Sequence, residues 1–281
     1  MFLLLKATYY EVFKIFNRLR TYIGFATVVI LVPIIMYLTQ RFGFDVQDQA
    51  LRAMNSSVMF VGTLVNGLLV SYYLMHVLWV HFPFFIVLVA GDIMAGEGAA
   101  GTFRILMTRP VTRFQIVTAK FFATFFYTFV IVFFLGGISI GTGMLIVGGG
   151  DLFVIDKGIL ILSQNDALYR FLIAYTLAVF VQMVVASLTF LFSTITSNGI
   201  GPIIGTYAVI VVSYILSVLQ IDALDVIRPY LFTTYFDVFF APFSDPIPWR
   251  EILYKLGSLG WYILSFYTIS AIIFIRKDIR T

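Results

Sequence analysis

Three stretches of this 281-residue chain have residue types and spacings that could do chemistry. Residues 96–101, GEGAAG, satisfy the GxGxxG pattern in which a glycine turn and a helix N-terminus cradle a dinucleotide pyrophosphate, and they have most of the spacing of a P-loop. Residues 137–141, GISIG, match the GxSxG elbow that presents a serine, here Ser139, for acyl transfer. His76 and His81 bring two imidazoles, common metal ligands, into one segment.

Each candidate fails on its surroundings. A dinucleotide site needs a short strand before the turn and an acid about 20 residues on, yet the preceding apolar run is membrane-length and the later positions are Phe121 and Phe122. A P-loop needs Lys and then Ser or Thr directly after its second glycine, and Thr102-Phe103 stands there. The elbow needs a strained strand-to-helix turn and a later histidine. Both histidines precede Ser139, which lies in a long apolar run where small residues let helices approach closely. An intramembrane serine protease is therefore only a weak alternative. His76 and His81, five apart, do not share a helix face as i,i+4 ligands do. With no cysteine in the chain, thiolate sites are excluded and no metal site is expected.

The elements that must position these residues are membrane spans. The chain is 61% hydrophobic and 11% charged, outside the range of soluble domains, and its charges cluster between long apolar runs. The reading is an all-α integral membrane protein, one transmembrane domain over 1–281 with six spans near 22–38, 58–91, 113–147, 169–194, 200–221 and 256–275. Residues 1–20 repeat apolar positions at helical spacing and predict an amphipathic interfacial helix; no signal peptide is read there. Residues 222–250 hold four prolines among many aromatics, and predict a re-entrant or interfacial hairpin on the outer side. Asn66, His76 and Gln182 are polar at membrane depth, so they are candidates to line a pathway. Asn55-Ser56-Ser57 matches a glycosylation sequon.

With six spans, one side receives 11 of the 18 cations and 4 of the 14 acids, a net +7 against −3 on the other. The positive-inside rule then places both termini in the cytoplasm of a multi-pass plasma-membrane protein. On that side lies the joint between spans two and three. Gly98 to Gly101 loosen the end of span two, Phe103, Leu106 and Met107 share a helical face, and Arg104 and Thr108 take another. Pro110 stops that short helix, and Thr112 with Gln115 predicts a capping box that starts the next, with Val111 and Ile116 as its staple.

The run Asp92, Glu97, Gly101-Thr102-Phe103, Leu106, Arg109-Pro110-Val111-Thr112-Arg113, Val117 and Lys120 resembles the E…GTL…LLxxPVSR…GK motif of ABC-2-type permeases, the membrane subunits of type V ABC exporters. Phe103 stands where leucine is usual, and Ala119 where glycine is usual. The order of parts is similar along the whole chain. The resemblance implies a permease subunit that exports substrate by alternating access, binds no cofactor itself and is not an enzyme. ATP and Mg would be used by a separate ABC ATPase subunit. It further implies a coupling helix at 97–109, with Glu97, Gly101, Thr102, Phe103, Arg104, Leu106, Met107, Arg109, Pro110 and Arg113 as the ATPase-coupling set, and Thr196, Ser197 and Asn198 as a second cytoplasmic contact. Glu97 would bond the end of the N-terminal helix through Arg18 or Arg20. Partners implied are the ATPase, a second permease copy or paralogue, the lipid bilayer and an extracytoplasmic accessory protein, with no nucleic acid. The alternative from the residues is a self-sufficient secondary transporter or channel, for which inverted repeats and ionisable residues at mid-membrane are expected; neither is seen.

Overall fold

A computed structural model of the chain describes residues 2–53, 65–103, 111–155, 159–219 and 221–277. Helix α1 is Phe2–Phe16, and a bend at 17–20 leads into α2, Thr21–Ala53. The apolar part of α2 ends at Gly43, but the helix continues because many residues of the sequence beyond it, Gln47, Gln49, Ala50, Leu51 and Arg52, are good helix formers. A polar stretch ends the apolar run without ending the helix, so the expected boundary at 38 falls short.

Asn66 caps α3, Gly67–Ala99, by accepting the Leu69 N–H at 2.9 Å. Glu97, Gly98 and Ala99 are still helical, so the chain does not loosen at Gly98 as the glycine content suggests. The stop comes at Gly101, whose φ of +65° only glycine adopts at little cost. Its N–H donates to the Gly98 carbonyl at 3.2 Å and the Thr102 N–H to the Glu97 carbonyl at 3.1 Å, the paired bonds of a Schellman end. Helix α4, Arg113–Thr142, opens with the expected capping box: Thr112 Oγ1 accepts the Gln115 N–H at 3.2 Å and Gln115 Oε1 accepts the Thr112 N–H at 3.0 Å. A π-helical turn, Gly143–Val147, completes an apolar segment of 35 residues. Residues 137–141 sit inside α4 and not on a strand-to-helix turn.

Between α4 and α5 lies an element the sequence reading does not contain. Strands β1, Leu152–Ile155, and β2, Ile159–Leu162, pair antiparallel with Leu152 opposite Leu162 and Val154 opposite Leu160. Helix α5, Gln164–Ile195, is the interior helix, with most of its length buried against α3, α4, α6 and α7. Helix α6 is Gly201–Val218 and α7 is Trp249–Arg276. The segment between them, where a re-entrant or interfacial hairpin is expected, is a series of 3-10 turns, Asp222–Leu224, Arg228–Tyr230 and Phe232–Phe243. Prolines at 229 and 242 and the run of bulky rings oppose a regular helix, while Phe236, Val238, Phe239 and Phe243 are buried in the core.

Among the described residues, six helices are long and apolar enough to cross a membrane. The chain is an all-α, multi-pass membrane protein. Side chains tie the helix ends together at one end of the bundle. Arg113 donates to the carbonyls of Ile275 and Lys277 at 3.0 and 2.7 Å, and Lys277 donates to the Thr194 carbonyl at 2.8 Å. That end therefore holds the starts of α2, α4 and α6 and the finishes of α3, α5 and α7.

Candidate functional site

The same end collects charge. Helix α1 presents Glu11 and Lys14, one turn apart; the bend after it carries Arg18 and Arg20; the end of α3 carries Asp92 and Glu97; and Lys120 comes from the third turn of α4. Four of these close a ring of alternating charge. Lys120 Nζ bonds Glu97 Oε1 at 2.7 Å and Glu11 Oε2 at 2.9 Å, and Lys14 Nζ bonds Glu97 Oε1 at 2.7 Å and Glu11 Oε1 at 3.0 Å. The Lys120 ammonium also reaches the Ile93 carbonyl at 3.4 Å. The Lys120 side chain is 1% exposed and that of Glu97 7%, so this is an ion pair taken out of solvent. Such burial is repaid only when the partners are complete, which the ring achieves with two counter-charges per ion.

Asp92 is held separately. Arg20 donates to its Oδ1 at 2.8 Å and Arg18 to its Oδ2. A Cβ on Gly96 would stand 2.4 Å from that carboxylate, so the first glycine of GEGAAG is the space into which Asp92 folds. On α1, burial alone would lower the Lys14 pKa, but hydrogen bonds and charge from Glu97 and Glu11 outweigh it and the value is raised. The stabilisation from Lys14 is thus complete below its ordinary value and is lost only as the solution turns strongly alkaline.

The expected contact between Glu97 and the N-terminal helix exists, but through Lys14 and not through Arg18 or Arg20. The two arginines lie past the end of α1, on the bend, where the chain passes Asp92; Lys14, a turn earlier, is the residue that faces Glu97. Of the other coupling candidates, Gly101 and Thr102 form the end of α3, Phe103 packs on Phe274 with ring centres 5.4 Å apart, and Arg113 is engaged with the finish of α7. Arg104, Leu106, Met107, Arg109 and Pro110 lie outside the described residues, as do Thr108 and the sequon at 55–57.

In the turn between α5 and α6, Thr196 bonds the Phe192 carbonyl at 2.9 Å, Asn198 Oδ1 accepts the Gly201 N–H at 2.7 Å, and Ser197 is exposed. The three pathway candidates are not brought together. Asn66 ties α3 to the Asp151 carbonyl at 2.6 Å, and the His76 ring stacks on Phe240 with centres 3.6 Å apart. Gln182 is fully buried within α5, and among the described residues neither its oxygen nor its nitrogen has a partner. The Ser139 hydroxyl meets Tyr175 at 3.0 Å and the Gly136 carbonyl at 3.1 Å, not an imidazole.

The sequence does not single out Glu11 and Lys14 as site residues, and it marks Lys120 and Asp92 only as motif positions. A lysine two turns inside an apolar helix is itself a signal, since such a charge needs partners. Arg170 was also missed: buried on α5, it bonds Asp166 at 2.9 Å and the Pro242 and Ser244 carbonyls at 2.8 and 2.7 Å, anchoring the 3-10 segment. The chain belongs to the DUF2705 family, described as a protein of unknown function, which it matches over residues 28–280. Among curated proteins, none matches it.

Proposed function

We propose that this DUF2705 chain is the permease subunit of an ATP-binding cassette exporter of the ABC-2 type, driven by a separate ATPase subunit. The observation that carries the reading is the closed ring of Glu11, Lys14, Glu97 and Lys120, which flanks the joint at 97–109. A push on that joint would act on α1, the end of α3 and the start of α4 as one body, because every ion in the ring is shared between helices. The motif running from Asp92 to Lys120 supports the same reading, and three of its positions, Asp92, Glu97 and Lys120, are buried charges.

On this reading the joint is the coupling helix, seated against the ATPase, with the turn at 196–198 as the second contact. The basic end faces the cytoplasm with both termini, α1 rests at the membrane interface, and the 3-10 segment is the outer re-entrant element. The chain binds no ATP, Mg or other cofactor itself. Two permeases, identical or paralogous, and two ATPases would form the pathway between subunits, which opens alternately as the ATPase pair closes; an extracytoplasmic accessory protein fits the outer face.

The test is reconstitution of the chain with the ATPase that co-purifies with it. Glu97→Ala and Arg104→Glu should leave membrane insertion intact and reduce substrate-stimulated ATP hydrolysis. Wild-type coupling in both variants sinks the assignment, and ion-gradient-driven transport by the chain alone replaces it with a secondary transporter.

A further inference from the structure

The Ser193 hydroxyl, 1% exposed near the finish of α5, makes three bonds to α3. It donates to the Gly91 carbonyl at 2.6 Å and accepts the N–H groups of Ala95 at 2.9 Å and Met94 at 3.1 Å. In an undisturbed helix the carbonyl of residue 91 and the amide of residue 95 bond to each other. Here a side chain from another helix bonds both groups. Insertion of a polar group into the i→i−4 ladder is one of the few physical causes of a local helix bend.

Gly91 adds to this. A Cβ there would meet Ile203 and Pro202 at 3.4 Å and Thr189 at 3.6 Å, ordinary contact distances, so space does not require glycine. What glycine supplies is backbone freedom, at a cost in helix preference relative to alanine. The turn between α5 and α6 encloses this point: Thr189 and Ser193 precede the turn, a Cβ on Gly199 within it would lie 3.1 Å from Asp92 Oδ1, and Pro202 and Ile203 follow it. Beyond the point, α3 is clamped, Asp92 by Arg18 and Arg20 and Glu97 by Lys14 and Lys120.

We propose that Gly91–Ala95 is a hinge in α3, keyed by the Ser193 hydroxyl, through which the turn between α5 and α6 and the charged end of α3 move together. Ser193 is a positioning residue: it sets the angle at which residues 92–99 leave the bundle. The hinge rests on these hydrogen bonds and stands apart from whatever motor or cargo the protein serves.

The chain has no cysteine, so spin labels go only where cysteines are introduced. Ala99→Cys, exposed at the finish of α3, is paired with Val29→Cys on α2 or with Leu264→Cys on α7, both exposed, in the full chain in lipid nanodiscs. Ala99 lies about 12 Å along the axis from Gly91, so a 20° change of bend swings it by about 4 Å. With Ser193→Ala, the Gly91 carbonyl and the Ala95 amide are left to each other alone, and the distance should shift by about that much at one reference or the other. Ser193→Thr keeps the hydroxyl and should keep the wild-type distance. Gly91→Ala leaves the hydroxyl in place and should narrow the distribution around the wild-type mean. A Ser193→Ala variant that overlays wild type at both references overturns the proposal. So does a Ser193→Thr variant that moves as Ser193→Ala does, since volume and not the hydroxyl would then be the cause. A Gly91→Ala distribution as broad as wild type removes the hinge from this position.

Discussion

Replacing Lys120 with methionine keeps most of the side-chain volume, removes the ammonium, and leaves two carboxylates short of a partner. Glu97 would retain Lys14 at 2.7 Å and Glu11 would retain it at 3.0 Å, but the Lys14 side chain is 45% exposed and its charge is partly screened. Breaking a buried ion pair by removing one member costs roughly 3–5 kcal/mol, and because Lys14 remains on both carboxylates the lower end, about 3 kcal/mol, is expected. Glu97→Gln in the Lys120→Met background removes the stranded charge. The double variant should therefore be more stable than the sum of the singles, by about 1–3 kcal/mol. The measurement is chemical unfolding in detergent micelles for wild type, both singles and the double. A second readout is trypsin cleavage after Lys14 and Arg18, which should speed up in Lys120→Met as α1 loses its hold. If the two substitutions add to within about 0.5 kcal/mol, the ring is not a coupled unit and the argument built on it fails.

Gln182→Leu deletes an amide that has no partner while keeping a similar volume, and should stabilise the chain by about 1–3 kcal/mol in the same unfolding assay; a loss of stability would show that the amide is satisfied. Gly96→Ala places a Cβ 2.4 Å from the Asp92 carboxylate and must displace it from Arg18 and Arg20. Those arginines are partly exposed, so the loss, about 1 kcal/mol, is offset by the similar gain in helix preference. Overall stability should barely change while trypsin cleavage at Arg18 and Arg20 accelerates, and unchanged cleavage would show that Asp92 does not depend on the space at Gly96.

Span number and span order were readable because each apolar run had the length that a bilayer demands, and the cap at Thr112 because a capping box is made wholly by residues three apart. Readings failed where a local signal had two outcomes. Gly96 and Gly98 look like helix breakers, yet only Gly101 has a backbone that requires glycine; the other two lie inside α3. The β ribbon could have been found, since LFVI and ILIL are two short apolar runs separated in the sequence by the three residues DKG. The 3-10 segment could not, because its path follows the pocket left by its neighbours and the carbonyls that Arg170 collects. Glu97 was legible as a charge at the end of a span. Its partner was not, since Lys14 and Arg18 are about one helical turn apart and only the docking of α1 against α4 decides which of them reaches it.

Ions, where apolar packing would serve stability as well, are informative about what this end of the protein specifies. A buried ion ring is often no more stable than apolar side chains of the same size, but an apolar contact tolerates sliding and a ring does not. Each ammonium here needs two carboxylates, one from α1 and one from α3, so a shift of either helix by a turn would strand a charge. Asp92 adds the bend after α1, and Ser193 adds the finish of α5. Within residues 91–97, then, α3 is fixed by polar contacts to four different parts of the chain: α1, the bend after it, α4 and the finish of α5. What the sequence specifies there is register and angle more than stability, which suits the transmission of a displacement that the proposed coupling role requires.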